Sequence, residues 1–226
     1  MKLVFEGLEQ ALEIDSGFPS VFQVENQALF SRLAGSLVSQ EGRYAKEAYS
    51  LWENEEEVSP KGSFLFVPDV FNLPWDDRSL LSEVVKRIEK DLVDDEDMRA
   101  NLEKAEQVFA SRLMELSGGL SADYAFGIEW DLSKCLKMLG FGVDTMPEEK
   151  LIDSLISFLS LALDAKCSKV LLFVNLKTFL TKNELKRLYE HIFYTKTIVL
   201  MLENKHDAES YQYERKQVID LDFLEY

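Results

Sequence analysis

Four carboxylates, Glu115, Asp123, Glu129 and Asp131, fall within one stretch of the chain that is broken by Gly118, Gly119 and Gly127. A hard cation such as Ca2+ takes roughly six to eight oxygen ligands from carboxylates, backbone carbonyls and water, and a glycine-containing loop beside a helix start can supply them. The spacing is not that of an EF-hand, so the same residues also read as surface carboxylates and helix caps. Basic residues recur at short range: Arg43 with Lys46, Lys134 with Lys137, and Lys182 with Lys186 and Arg187. Each group is placed to contact phosphates, and each equally suits a solvated helix face. No aromatic residues interleave with them as in a platform for single-stranded nucleic acid.

Signatures of catalysis are missing from the chain. There is no GxSxG elbow, HExxH helix or CxxC pair. His191 falls inside a predicted helix and His206 in a polar loop, while Cys135 and Cys167 sit in apolar helical patterns as small buried hydrophobes. The segment VENQALFSRLAGSL follows a predicted strand and opens a helix, the arrangement in which a phosphate-binding loop would stand. Such a loop needs glycines for close backbone approach and a Lys for the β- and γ-phosphates; this turn has no Lys and no glycine before the helix. The chain therefore reads as a non-enzyme. Two alternatives stay open: an ATPase with a cryptic phosphate site, and a metal-dependent nuclease using Glu115, Asp123, Glu129 or Asp131.

The elements that must carry these residues are organised around 169–204. Two short apolar runs, Val170 to Val174 and Ile198 to Leu202, flank a segment in which Leu185, Leu188, Tyr189, Ile192 and Phe193 recur at helical spacing. Strands without polar alternation are buried on both faces, and a right-handed crossover helix is the usual way to join two parallel ones. Thr181 and Glu184 predict a capping box at the start of that helix. Asn175 and Glu203-Asn204 end the two strands at the carboxyl edge, where open α/β sheets place their ligands.

Other core strands are predicted at Ser20–Val24 and Ser63–Val67, and an edge strand at Val218–Phe223. Met1–Phe5 and Ala11–Ile14 read as an antiparallel pair on the edge of the same sheet. Gly42–Tyr49 reads as weakly helical, and the acidic run Glu53–Glu57 as a solvated loop. From Leu80 to about Lys150 the pattern is helical throughout, with apolar stripes led by Leu80, by Leu102 and by Ile128.

With 46% hydrophobic and 29% charged residues, the composition is that of a soluble globular chain, and no apolar run nears the roughly 18 residues of a membrane span. The N-terminus carries acidic residues where a signal peptide needs an apolar core, so a cytoplasmic location is expected. A net charge of −16 argues against nucleic-acid binding by the surface as a whole, unless the 25 Lys and Arg are concentrated on one face or divalent cations cover some carboxylates.

Taken together, the MKLVFEGLE start, the VENQALFSRL segment, the helical insertion, and the KVLLFVN and TIVLMLEN strands resemble a known family. It is the non-catalytic adaptation protein of type II-A CRISPR systems, a calcium-dependent binder of double-stranded DNA ends. The resemblance implies an α/β, P-loop-ATPase-like head without a Walker A motif, over about 1–73 and 150–226, carrying an all-helical leg over about 74–149. It further implies a homotetrameric ring whose basic inner wall holds duplex DNA, with Ca2+ ordering the leg and the assembly. The expected task is spacer acquisition, beside the integration proteins and effector nuclease of the same system and away from any membrane. On this resemblance Ca2+ is assigned to Glu115, Asp123, Glu129 and Asp131. DNA phosphates are assigned to Arg43, Lys46, Lys134, Lys137, Lys182, Lys186 and Arg187.

Overall fold

The structure, a computed structural model, describes residues 1–122, 124, 131–145 and 149–226. The chain divides into two compact units, Met1–Trp75 with Asp144–Tyr226, and Asp76–Val143. The first unit runs β1 (Lys2–Phe5), β2 (Leu12–Glu13), β3 (Ser20–Val24), α1 (Gln27–Ser39), β4 (Tyr49–Glu53), β5 (Glu56–Val58) and β6 (Phe64–Val67). The second contributes α2 (Arg78–Asp94), α3 (Glu96–Ser117) and α4 (Leu132–Met138). The chain then returns to the first unit with α5 (Leu151–Asp164), β7 (Val170–Val174), α6 (Lys182–Thr195), β8 (Val199–Glu203) and β9 (Arg215–Ile219).

Five strands form a parallel sheet in the order β6-β7-β8-β3-β9. Strands β3 and β8 are buried at every position, which is why their sequences show no polar alternation. Between β7 and β8 the chain makes a 3-10 turn at Leu176–Phe179 before α6. Thr181 and Glu184 close the predicted capping box: the Thr181 hydroxyl accepts the Glu184 N–H, and the Glu184 carboxylate accepts the Thr181 N–H at 2.8 Å. Leu185, Leu188, Tyr189 and Ile192 are the buried face of α6.

Three expectations fail in this unit. The β1–β2 pair does not edge the parallel sheet. It belongs to a separate antiparallel sheet, β2-β1-β4-β5, which packs Leu3, Phe5, Tyr49 and Leu51 into the shared core. The segment read as weakly helical holds a 3-10 turn at Gly42–Tyr44 and then, from its last residue Tyr49, the start of β4; β5 occupies the end of the run read as an acidic loop. Tyr49 and Leu51 are buried while Ser50 and Trp52 are half-buried, the period of two that a half-covered strand requires. Asn54 and Glu55, both at positive φ (48° and 67°), make the tight turn between them. The last strand ends at Ile219, because the chain turns at Asp220 and comes back along β9, where Val218 and Tyr226 exchange N–H···O bonds of 2.8 and 3.0 Å.

The helical unit is built from end-capped helices. Asp95 alone separates α2 from α3, and its carboxylate accepts the Met98 N–H at 2.9 Å. Ile128, at the head of the third predicted stripe, lies outside the described residues; the described helix there is α4.

Candidate functional site

The carboxyl edge of the parallel sheet carries a network of polar side chains. Asn175 follows β7 in the left-handed conformation, φ 55°, and its side-chain oxygen accepts the Asn204 N–H at 2.9 Å. The Asn204 amide in turn donates to the Val24 carbonyl at 2.9 Å, so the ends of β7, β8 and β3 are cross-tied. Glu203, the last residue of β8 and 2% exposed, accepts the Lys177 N–H at 3.0 Å and so anchors the start of the 3-10 turn.

Lys177 is the centre of the charge. Its side chain is 7% exposed, and its ammonium lies between Asp207 and Glu214, at 2.5 and 2.8 Å. The Tyr189 hydroxyl donates to the same Glu214 carboxylate at 2.9 Å. Burial works to lower the Lys177 pKa, but the hydrogen bonds to Asp207 and Glu214 outweigh it and the net shift is upward. Burial pushes the Tyr189 phenol well up, with the Glu214 charge adding to it. Glu203 has no ammonium of its own, and burial pushes its carboxyl up to about 7 against the opposing Lys177 N–H and charge. A cavity of about 310 Å3 opens here, lined by Lys177, Leu185, Glu203, His206, Asp207 and Tyr211 among others.

The start of α1 is closed. The Asn26 side-chain oxygen accepts the N–H groups of Ala28 and Leu29 at 3.1 and 3.0 Å, so the donors that a phosphate would need are already taken.

The seven basic residues assigned to DNA divide in two. Arg43 makes a two-bond fork with Glu57 at 2.8 and 2.6 Å, Lys182 pairs with Glu209 at 2.6 Å, Arg187 with Asp153 at 2.9 Å, and Lys134 with Asp131 at 3.1 Å. Lys46, Lys137 and Lys186 are exposed and have no ion-pair partner among the described residues. Lys182 and Lys186 stand one turn apart on α6. Lys137, on α4, lines a groove of about 680 Å3 with Leu81, Val85 and Phe141 inside the helical unit.

Of the four carboxylates assigned to Ca2+, Glu115 lies in the last turn of α3, exposed and paired with Arg112 at 2.8 Å. Asp131 caps α4 through the Lys134 N–H at 2.9 Å, and that bond with the Lys134 ammonium holds its pKa down. Asp123 and Glu129 lie outside the described residues. Among the described residues no cluster of three or more His, Cys, Asp or Glu side chains is placed to hold a metal. The sequence signalled Asn175 and Glu203 at the sheet edge but not Lys177, Asp207 or Glu214, whose partnership forms only once the sheet is assembled.

Residues 44–223 match a family described as CRISPR-associated protein (Cas_Csn2). Among solved structures, the crystal structure of Stu0660 of Streptococcus thermophilus is similar over 97% of this chain and 74% of its own, with a TM-score of 0.54 and 14% identity, which speaks to the fold alone. A putative ABC transporter ATP-binding protein from Pyrococcus furiosus is aligned over 96% of this chain and 97% of its own at a TM-score of 0.38 and 12% identity, too distant to bear on the fold. No curated protein sequence matches the chain.

Proposed function

The chain belongs to the CRISPR-associated Cas_Csn2 family, and from that membership we propose that it is a non-catalytic protein that binds the ends of double-stranded DNA during spacer acquisition, as a homotetrameric ring stabilised by Ca2+. The absence of nucleotide chemistry in this reading is supported by the start of α1, where the Asn26 side chain accepts the Ala28 and Leu29 N–H groups that a phosphate would compete for.

DNA is held through phosphates in this reading, without base contacts. Lys46, Lys137 and Lys186 have the stronger claim because their charge is unanswered among the described residues; Arg43, Lys134, Lys182 and Arg187 must each give up a carboxylate first. Exposed ion pairs of that kind are worth about 0 to 1 kcal/mol, so the exchange is affordable against a phosphate. The same holds for calcium: Glu115 and Asp131 are exposed or half-buried carboxylates in ion pairs with Arg112 and Lys134, and their oxygens suit a hard cation. With Asp123 and Glu129 they would hold Ca2+, which would supply the positive charge that this acidic segment lacks.

A gel shift with linear and closed-circular duplexes of equal length, in Ca2+ or chelator, tests the proposal together with the solution mass. Retention of linear DNA alone, by a tetramer that requires Ca2+, is the expected result. A monomer indifferent to both DNA forms would overturn it, and cleavage of the DNA with Mg2+ or Mn2+ would replace it with a nuclease.

A further inference from the structure

The segment 205–214, which joins β8 to β9, contains no helix or strand. Side chains tie it to the carboxyl edge. Lys177 holds Asp207 and Glu214, Lys182 holds Glu209, and Lys216 donates to the carbonyls of Asp207 and Glu209. The Gln23 side chain accepts the Asp207 N–H, Glu25 pairs with His206, and Tyr211 rests edge-on against Tyr189 at 5.7 Å. Charge, rather than a backbone ladder, keeps this segment in place. Glu203 and Asp207 share the wall of the 310 Å3 cavity that it borders.

We propose that segment 205–214 is a latch over the carboxyl edge of the sheet, and that its release is coupled to the loss of one proton from Glu203. The charged and titratable groups around Glu203 are Lys177 from the turn after β7, Lys182 and Tyr189 from α6, Glu25 beyond β3, and Lys216 from β9. The segment itself adds Lys205, His206, Asp207, Glu209, Tyr211 and Glu214. Asp207 and Glu214 are answered by Lys177 and Lys216, and Glu209 by Lys182, whereas among the described residues no ammonium stands within ion-pair reach of Glu203. An ionised Glu203 adds an unanswered negative charge beside Asp207, and lifting the segment brings water to it.

The sign of the coupling follows from the two ends of the equilibrium. Closed, burial keeps the Glu203 carboxyl protonated up to about 7; open, it returns toward the ordinary 4.5. Opening therefore releases a proton. The opening constant rises about tenfold per pH unit between about 4.5 and 7, and is level above that.

Amide hydrogen exchange of the intact protein, corrected for the intrinsic effect of pH on exchange, tests the latch in peptides covering 205–214 and α6. The expected result is roughly a fortyfold rise in opening of 205–214 between about pH 5 and 7, levelling off by about pH 8, with α6 unchanged. E203Q removes the slope, and H206Q keeps it; the second variant is the control for the imidazole beside Glu25. Opening of 205–214 that ignores pH in the unmodified protein overturns the latch, a result that stands even if E203Q fails to fold. A slope that survives E203Q or vanishes in H206Q overturns the assignment to Glu203. None of these outcomes depends on DNA.

Discussion

Glu203 and Lys177 sit next to one another in the fold and respond oppositely to substitution. The Glu203 carboxyl is pushed up to about 7 from its ordinary 4.5, so the folded protein binds a proton that the unfolded chain has already released between those values. Its contribution to stability is present below about pH 4.5 and is lost as pH rises toward 7. E203Q is expected to flatten that fall and to raise the unfolding free energy at pH 8 by up to about 3 kcal/mol, less whatever the amide loses at the Lys177 N–H. Urea titrations of both proteins at about pH 5 and pH 8 check it; an unchanged gap between the two pH values would refute it. K177M acts in the other direction. It takes the nearer ammonium from Glu214, 2% exposed, leaving Lys216 at 3.8 Å, and the ammonium from Asp207 beside it, and is expected to cost up to about 3 to 5 kcal/mol at neutral pH. Only part of this was legible beforehand. Glu203 stands out as a charge closing an apolar strand, whereas Lys177 looks like one lysine among many until β7 and β8 pair.

The elements were legible in proportion to how far their patterns exceed the background. α6 is the clearest case, with an apolar stripe and both halves of a capping box in the sequence. T181A removes the side-chain half of that box and is expected to lower stability by about 1 kcal/mol with no change in fold, as read by thermal denaturation. β4 and β5 were missed for a physical reason. A strand covered on one face needs only alternate apolar positions, and here Tyr49 and Leu51 are followed by an acidic hairpin, Glu53 to Glu57, that composition assigns to solvent. Of the turn's two left-handed residues, Asn54 is of a type that favours positive φ, but Glu55 is not, so the pair does not read as a hairpin turn.

For the whole molecule, the difficulty is an excess of negative charge, −16, in a protein proposed to bind a polyanion. Few cations are left to do it, since four of the seven candidates are already paired within the chain. K46A and K186A are each expected to weaken duplex binding at every sequence and to reduce the slope of log affinity against log salt by about one per lost phosphate contact. Binding titrations over a range of salt would show this, and an unchanged slope would exclude both lysines from the interface. The acidic segment that holds Asp123 and Glu129 was recognisable from its residue types, but a ligand set is a matter of distances, which residue types do not supply. The order of the parallel sheet has a further consequence for synthesis. β3 is complete near the start of the chain, yet both of its neighbours, β8 and β9, lie beyond residue 198. At roughly 5 to 20 residues per second, this apolar strand waits on the order of ten to forty seconds on the ribosome before it has any edge to pair with. Nascent chains stopped before Val199 should therefore be cut by protease near Ser20–Val24, and chains extended past Ile219 should resist, which makes the period of translation the time of greatest exposure to misassembly.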